Sequence, residues 1–291
     1  MELFRALAVL AEPPTEEASH IAEALELGPA PSESEYTDLF VFQLYPYASV
    51  YLGAEGMLGG EARDRIAGFW RALGQTPPAE ADHLSVLLAL YARLVELEED
   101  ESDAVGREGW RSARKAFLWE HLLSWLPVYL TKVDDVATPF YRRWSEVLMA
   151  ALLEEASIVG RQQQLALHLR EAPGLADPRA ALTEDFLQSL LTPARSGMIL
   201  VRSDLSRAAQ SLKLGLRLGE RKFVLKTLLG QDAGGMLEWL AAEASGWAAR
   251  HRKHAATLGE TATAWEHKAV ATAALLRELK LGTKEVVSVP S

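Results

Sequence analysis

Apolar residues recur every three or four positions along nearly the whole of this chain, a spacing that only helices satisfy. Leu84, Leu87, Leu88, Tyr91, Leu94 and Val95 fall on one stripe in this way. No run of alternating Val, Ile or Thr bounded by turn residues marks a strand, and only Gly215–Gly219 reads as a short extended piece. The pattern predicts an all-α chain, with helices over 2–11, 15–27, 35–44, 61–73, 84–95, 108–130, 138–155 and 158–171. Further helices are predicted over 183–191, 203–212, 219–229, 233–257 and 259–281. Glu80 and Asp82 are expected in the first turn of the 84–95 helix, where carboxylates favour the positive end of the dipole. Pro127 is expected to end or kink the 108–130 helix, because it cannot donate a backbone hydrogen bond. Breaks are expected at 28–34, at the self-repelling charge run 96–103, and at the Pro- and Gly-containing 172–180.

Composition narrows the function classes. A hydrophobic fraction of 49% over 291 residues is enough for a real core. Cysteine is absent, which excludes disulfides, thiolate metal sites and cysteine nucleophiles. Asparagine is absent too, a bias that either a thermophile or a GC-rich genome produces. A net charge of −10 argues against a generic nucleic-acid binder. That charge is uneven: residues 1–185 hold 31 acids and 15 bases, whereas 186–291 hold 9 acids and 15 bases. Two regions with different partners, or two faces that attract each other, both fit the split. The apolar stretch Ala6–Ala11 is too short to span a bilayer and lacks the basic leader of an export signal. A cytoplasmic protein is expected. No nucleophile elbow, phosphate-binding loop or dinucleotide fingerprint is present, so no enzyme is expected.

Three segments carry a more specific message. The first is Tyr45-Pro46-Tyr47-Ala48-Ser49-Val50-Tyr51-Leu52, followed by an amphipathic helix through Phe69 and Trp70. The second is Glu80-Ala81-Asp82-His83-Leu84. The third is Phe117-Leu118-Trp119-Glu120-His121-Leu122, then Trp125-Leu126-Pro127 and Phe140-Tyr141. In this order the segments resemble those of the TorD/DmsD/NarJ family of redox-enzyme maturation chaperones, over about residues 35–170. The first departs from the family's Pro-x-Glu-Ser-x-Tyr at Ala48. The second has its Glu displaced by one and lacks the family's Pro.

The resemblance implies a TorD-like helical bundle over 1–178, followed by a basic helical extension over 179–291. It implies a chaperone that binds the twin-arginine signal peptide, the apo catalytic subunit, or both, of a molybdopterin-dependent oxidoreductase. Such a chaperone assists cofactor insertion before export or assembly. It implies no resident cofactor; molybdopterin guanine dinucleotide or a guanine nucleotide is a further partner, and the chain is a monomer or homodimer. The implied client-binding residues are Tyr47, Ser49, Tyr51, Trp70, Asp82, His83, Glu120, His121, Trp125 and Pro127. A basic, apolar leader needs carboxylates for its guanidinium groups and an apolar groove for its helix, and the acidic front can supply both.

Plainer roles stand beside these. Asp82 can cap a helix while His83 satisfies backbone; Glu120 and His121 can lock packing; the tryptophans can be core. Glu17-Ala-Ser-His20 and Glu80-Ala-Asp-His83 have the spacing of metal-ligating pairs, a remote reading with no metal site assigned. His251-Arg-Lys-His254 reads as solvated. Between Arg195 and Lys226 lie eight bases and two acids, arranged as two helices about a turn. This segment reads as a nucleic-acid or regulatory module, as an anion site for the cofactor's pyrophosphate at Arg195, Ser196 and Gly197 with Arg202 and Arg221, or as a surface docking on the acidic front of its own chain or of a dimer mate.

Overall fold

Helix starts follow the short polar residues that can bond the free amides of a first turn. Thr15 accepts from the Ala18 amide, Asp103 from Gly106 and Asp232 from Gly235. Ser32 and Glu35 form a reciprocal capping box. The computed structural model describes residues 2–162 and 164–287 and is helical throughout; among these residues a lone Tyr47–His83 bridge is the only β pairing.

Several expected boundaries move. The predicted 108–130 helix is three elements: Ala104–Phe117, a π-helical turn at Leu118–Leu122, and Leu126–Val136. Pro127 stands in the first turn of the last of these, so it starts a helix rather than ending one. The charge run 96–103 is mostly helical, because Leu84–Asp100 continues through it. Arg5 reaches Glu96 at 2.6 Å and Arg114 reaches Glu98 at 2.9 Å, which offsets part of the expected self-repulsion. Glu80 and Asp82 precede that helix rather than lying in its first turn, and His83 is its N-cap. Residues 158–171 are not one helix: Pro139–Val159 runs into Gly160, and only Leu167–Glu171 is helical beyond it. Residues 214–218 are irregular and pair with no strand.

Glu2–Val9 packs along Leu84–Asp100, and Ala104–Phe117 folds back along the same helix. The buried Arg114 ties Ala104–Phe117 to Leu84–Asp100 and Pro139–Val159, bonding the Tyr91 hydroxyl and the carboxylates of Glu98 and Glu155. Ala233–Lys253 and Glu260–Val287 form the longest helical pair. Buried apolar side chains on either side of residue 178 share one continuous core from Phe4 to Leu276.

Polar contacts cross the same seam. Lys132, fully buried, bonds Asp204 at 2.7 Å and Asp135 at 2.8 Å. The Trp265 indole donates to the Ser124 carbonyl at 2.9 Å, and Lys268 to the Ala172 carbonyl at 3.0 Å. His251 is buried between the Trp247 and Trp265 rings with Nε2 2.8 Å from the Gly197 carbonyl, which corrects the solvated reading. Among the described residues no helix is long and apolar enough to cross a membrane.

Candidate functional site

The first two motifs meet. Tyr47 and His83 pair as a short antiparallel bridge: the Ala48 amide donates to the Asp82 carbonyl at 3.0 Å, and the Leu84 amide to the Pro46 carbonyl at 2.8 Å. Pro46 can flank this bridge because only its carbonyl is used. The Asp82 carboxylate then accepts from the Ser49 amide at 3.2 Å, capping the short helix Ala48–Leu52. Asp82 thus caps the helix of the other motif, while the His83 imidazole caps its own by accepting from the Ser85 amide at 3.3 Å. Tyr47 donates to Glu80 at 2.9 Å, and its ring meets the His83 ring edge-on at 4.8 Å. Burial pushes the His83 pKa below its ordinary value, against the pull of Glu12, Glu80 and Asp82.

The third motif lies directly beneath. Tyr51 stacks on Trp125 at 5.2 Å and meets Tyr129 edge-on. Its hydroxyl donates back to the Tyr45 carbonyl at 2.9 Å, closing the turn. Glu120 accepts from the Leu167 amide at 2.8 Å, and the Trp125 indole donates to the His121 carbonyl at 2.9 Å. His121 is buried against Phe69 and Phe117. Burial, with His168 and Arg65 nearby, holds its pKa down to about 3.

An open cavity of about 440 Å³ lies beside this assembly. It is lined by the 53–60 loop, the first turns of Gly60–Ala72, and the short helix carrying His168 and Glu171. Motif residues shape it: the Ser49 hydroxyl accepts from the Gly59 amide at 3.0 Å. The far side of the loop rests on the basic back. Gln188 donates to the Glu55 carbonyl at 2.8 Å, and Gly56, at φ +64°, lies so close to Thr192 that a Cβ would sit 2.9 Å from its hydroxyl. Met57 and Leu58 are exposed, and the carboxylates of Glu55, Glu61 and Glu171 line the cavity with them. Arg65 bonds Glu61 at 2.5 Å and Glu171 at 3.1 Å through one nitrogen, while its other terminal nitrogen is buried and unpaired. The buried His168 likewise has an unpaired Nε2; burial and Arg65 lower its pKa to about 4, so it is neutral at pH 7.

Of the ten candidate client-binding residues, Tyr47, Trp70 and Glu120 are half-buried, and Ser49, Tyr51, Asp82, His83, His121, Trp125 and Pro127 are buried. They form one connected framework around the Tyr47–His83 bridge and the Tyr51–Trp125 stack, with Trp70 packed at the core's edge. The cavity is lined instead by Met57, Leu58, Glu61, Arg65 and Glu171, with the buried His168 at its wall. The glycine-flanked Gly53-Ala-Glu-Gly-Met-Leu-Gly-Gly60 run was the available signal for the loop. Nothing in the sequence linked it to His168.

Two of the three candidate arginines are bonded to backbone carbonyls. Arg221 turns inward to the Leu200 carbonyl at 2.8 Å and Arg195 bonds the Gly174 carbonyl at 3.2 Å, while Arg202 is exposed. The space a phosphate needs at Gly197 is filled by helix backbone, since even a Cβ there would collide with the Ala269 amide nitrogen. Among the described residues no group of three or more His, Asp or Glu gathers as a metal site; Glu17 and His20 are exposed.

Residues 8–130 match the family model described as nitrate reductase delta subunit. The chain is 30% identical over 141 residues, 44% of its length, to the chaperone protein TorD of Vibrio vulnificus strain YJ016, of which it covers 64%. It is 29% identical over 125 residues, 40% of its length, to the chaperone protein TorD of Photobacterium profundum, covering 57% of that protein. The chain therefore spans less than two thirds of these curated relatives. All ten framework residues fall within 8–130, and the three arginines fall beyond it.

Proposed function

We propose that this chain, whose front is similar to the TorD chaperones, is a molybdoenzyme maturation chaperone that binds an apo catalytic subunit of a molybdopterin-dependent oxidoreductase. In this reading it engages the twin-arginine leader, the mature body, or both, in the cytoplasm, and holds them until the cofactor is inserted. No catalytic step is assigned to it.

The observation that carries the proposal is the cavity beside the motif framework, whose loop Ser49 braces through the Gly59 amide. Its apolar lining, Leu52, Met57 and Leu58, is interleaved with Glu55, Glu61 and Glu171 against a single Arg65. A leader with two guanidinium groups ahead of an apolar helix is the complement of such a surface, because carboxylates pair guanidinium bidentately and flexible Met and Leu adapt to apolar side chains. In this assignment the buried motif residues act from below. Asp82, Ser49 and His83 set the position of the loop; Tyr51, Trp125, His121 and Pro127 hold the floor; Tyr47, Trp70 and Glu120 reach its margin.

The test is calorimetric titration of the full chain with a twin-arginine leader peptide and, separately, with the apo catalytic subunit of a candidate partner. Micromolar or tighter binding to one of them is expected. Glu61→Gln with Glu171→Gln should weaken leader binding about tenfold, as two exposed charge-assisted contacts are lost. No binding to either, with every available partner, ends the proposal.

A further inference from the structure

The loop 213–220 and the helix that follows it carry chemistry that the client reading leaves unused. Leu216 is 48% exposed, Leu218 97% and Phe223 47%, three large apolar side chains within eight residues. Lys213, Arg217, Lys222 and Lys226 alternate with them. The acids at this face are Glu220 and, from the neighbouring helix, Glu184, which pairs Lys226 at 2.6 Å and approaches Lys222 at 3.7 Å.

This segment is built. Gln231 grips Gly215 on both sides, accepting from its amide and donating to its carbonyl, each at 2.8 Å. Phe223 packs so closely on Gly219 that a Cβ there would sit 2.8 Å from its ring. Val224, Leu225 and Leu228 anchor the following helix in the core. The leucines are therefore held in water by a braced loop, at a cost that a soluble surface normally avoids.

Leucine side chains offer a nucleic acid neither charge nor hydrogen bonds, and a protruding loop gives a peptide no groove to enter. A bilayer surface with anionic headgroups satisfies both halves of the pattern: apolar tips enter the headgroup boundary while Lys and Arg meet the phosphates. We propose that residues 213–226 are a peripheral contact for an anionic membrane surface, with Leu216, Leu218 and Phe223 inserted and Lys213, Arg217 and Lys222 at the headgroups. The acidic front, repelled by the same surface, would be left facing away from it.

Sedimentation of the full chain with vesicles tests this without any client present, so its outcome is independent of the chaperone assignment. Binding is expected to phosphatidylcholine vesicles containing phosphatidylglycerol and not to pure phosphatidylcholine, and it should weaken as salt rises. Leu218→Asp should reduce partitioning about tenfold or more, the scale of one buried leucine, and Arg217→Glu should reduce it as well. Both side chains are exposed, so thermal midpoints should not move and a loss of binding is not a loss of fold. Equal binding to both vesicle types, or full binding by Leu218→Asp, overturns the proposal. So does an oligomer that Leu218→Asp dissociates, or duplex DNA binding that depends on Arg217 but not on Leu218.

Discussion

Asp82 and Ser49 bind two motifs that lie more than thirty residues apart: the Asp82 carboxylate meets the Ser49 amide, and the Ser49 hydroxyl meets the Gly59 amide. Asp82→Ala leaves the buried Ser49 amide unpaired and should cost about 1–3 kcal/mol, read as a lowered urea midpoint. The buried imidazoles make a second prediction. His121 is held down to about 3, His168 and His251 to about 4, so all three fold in the neutral form. The unfolded chain takes up these protons first, near the ordinary histidine value of about 6.5, so stability is complete above that pH. It should fall steadily as pH drops from about 6.5 toward 4. His121→Phe, placed between Phe69 and Phe117, should flatten that slope when urea midpoints are compared at pH 7, 6 and 5. At this scale the sequence named Ser49, Asp82, His83 and His121, because motif order singles them out. It missed Arg65 and His168, whose proximity comes from tertiary packing alone.

Where helices begin and end was harder to read than which residues are helical. Residues 117–126 are apolar on nearly every face, so a 3.6-residue period shows no break where the π turn falls. Pro127 breaks a helix when interior and starts one when in the first turn, and only the location of that π turn distinguishes the cases. Pro127→Ala should therefore lower stability by less than about 1 kcal/mol, the entropy proline removes from the unfolded chain, with no change in helix content by circular dichroism. The 96–103 run failed as a predicted loop for another reason. Two of its carboxylates, Glu96 and Glu98, are paired by Arg5 and Arg114 from separate helices, which no local pattern records.

The whole-chain charge of −10 averages an acidic front and a basic back, and the structure joins these through a buried pair of opposite sense, Lys132 of the front and Asp204 of the back. Lys132→Met leaves Asp204 buried with less compensation and should cost about 3–5 kcal/mol in chemical denaturation, part of which Asp204→Asn restores in the double variant. The sequence anticipated an all-α chain and the resemblance of its front. The extent to which front and back share one core was not legible, since the residues that join them, Lys132, Gly56 and Trp265, carry no motif.

Trp265 supplies the donor for the Ser124 carbonyl, and Lys268 that for Ala172, so late residues complete bonds that early residues leave open. This has a consequence for the order of synthesis. On the ribosome the motif-bearing front emerges first, yet the seam under Ser124 stays uncovered until the last long helix has been made. The front must wait, partly exposed, for its own C-terminal helix, much as its proposed clients wait for their cofactor.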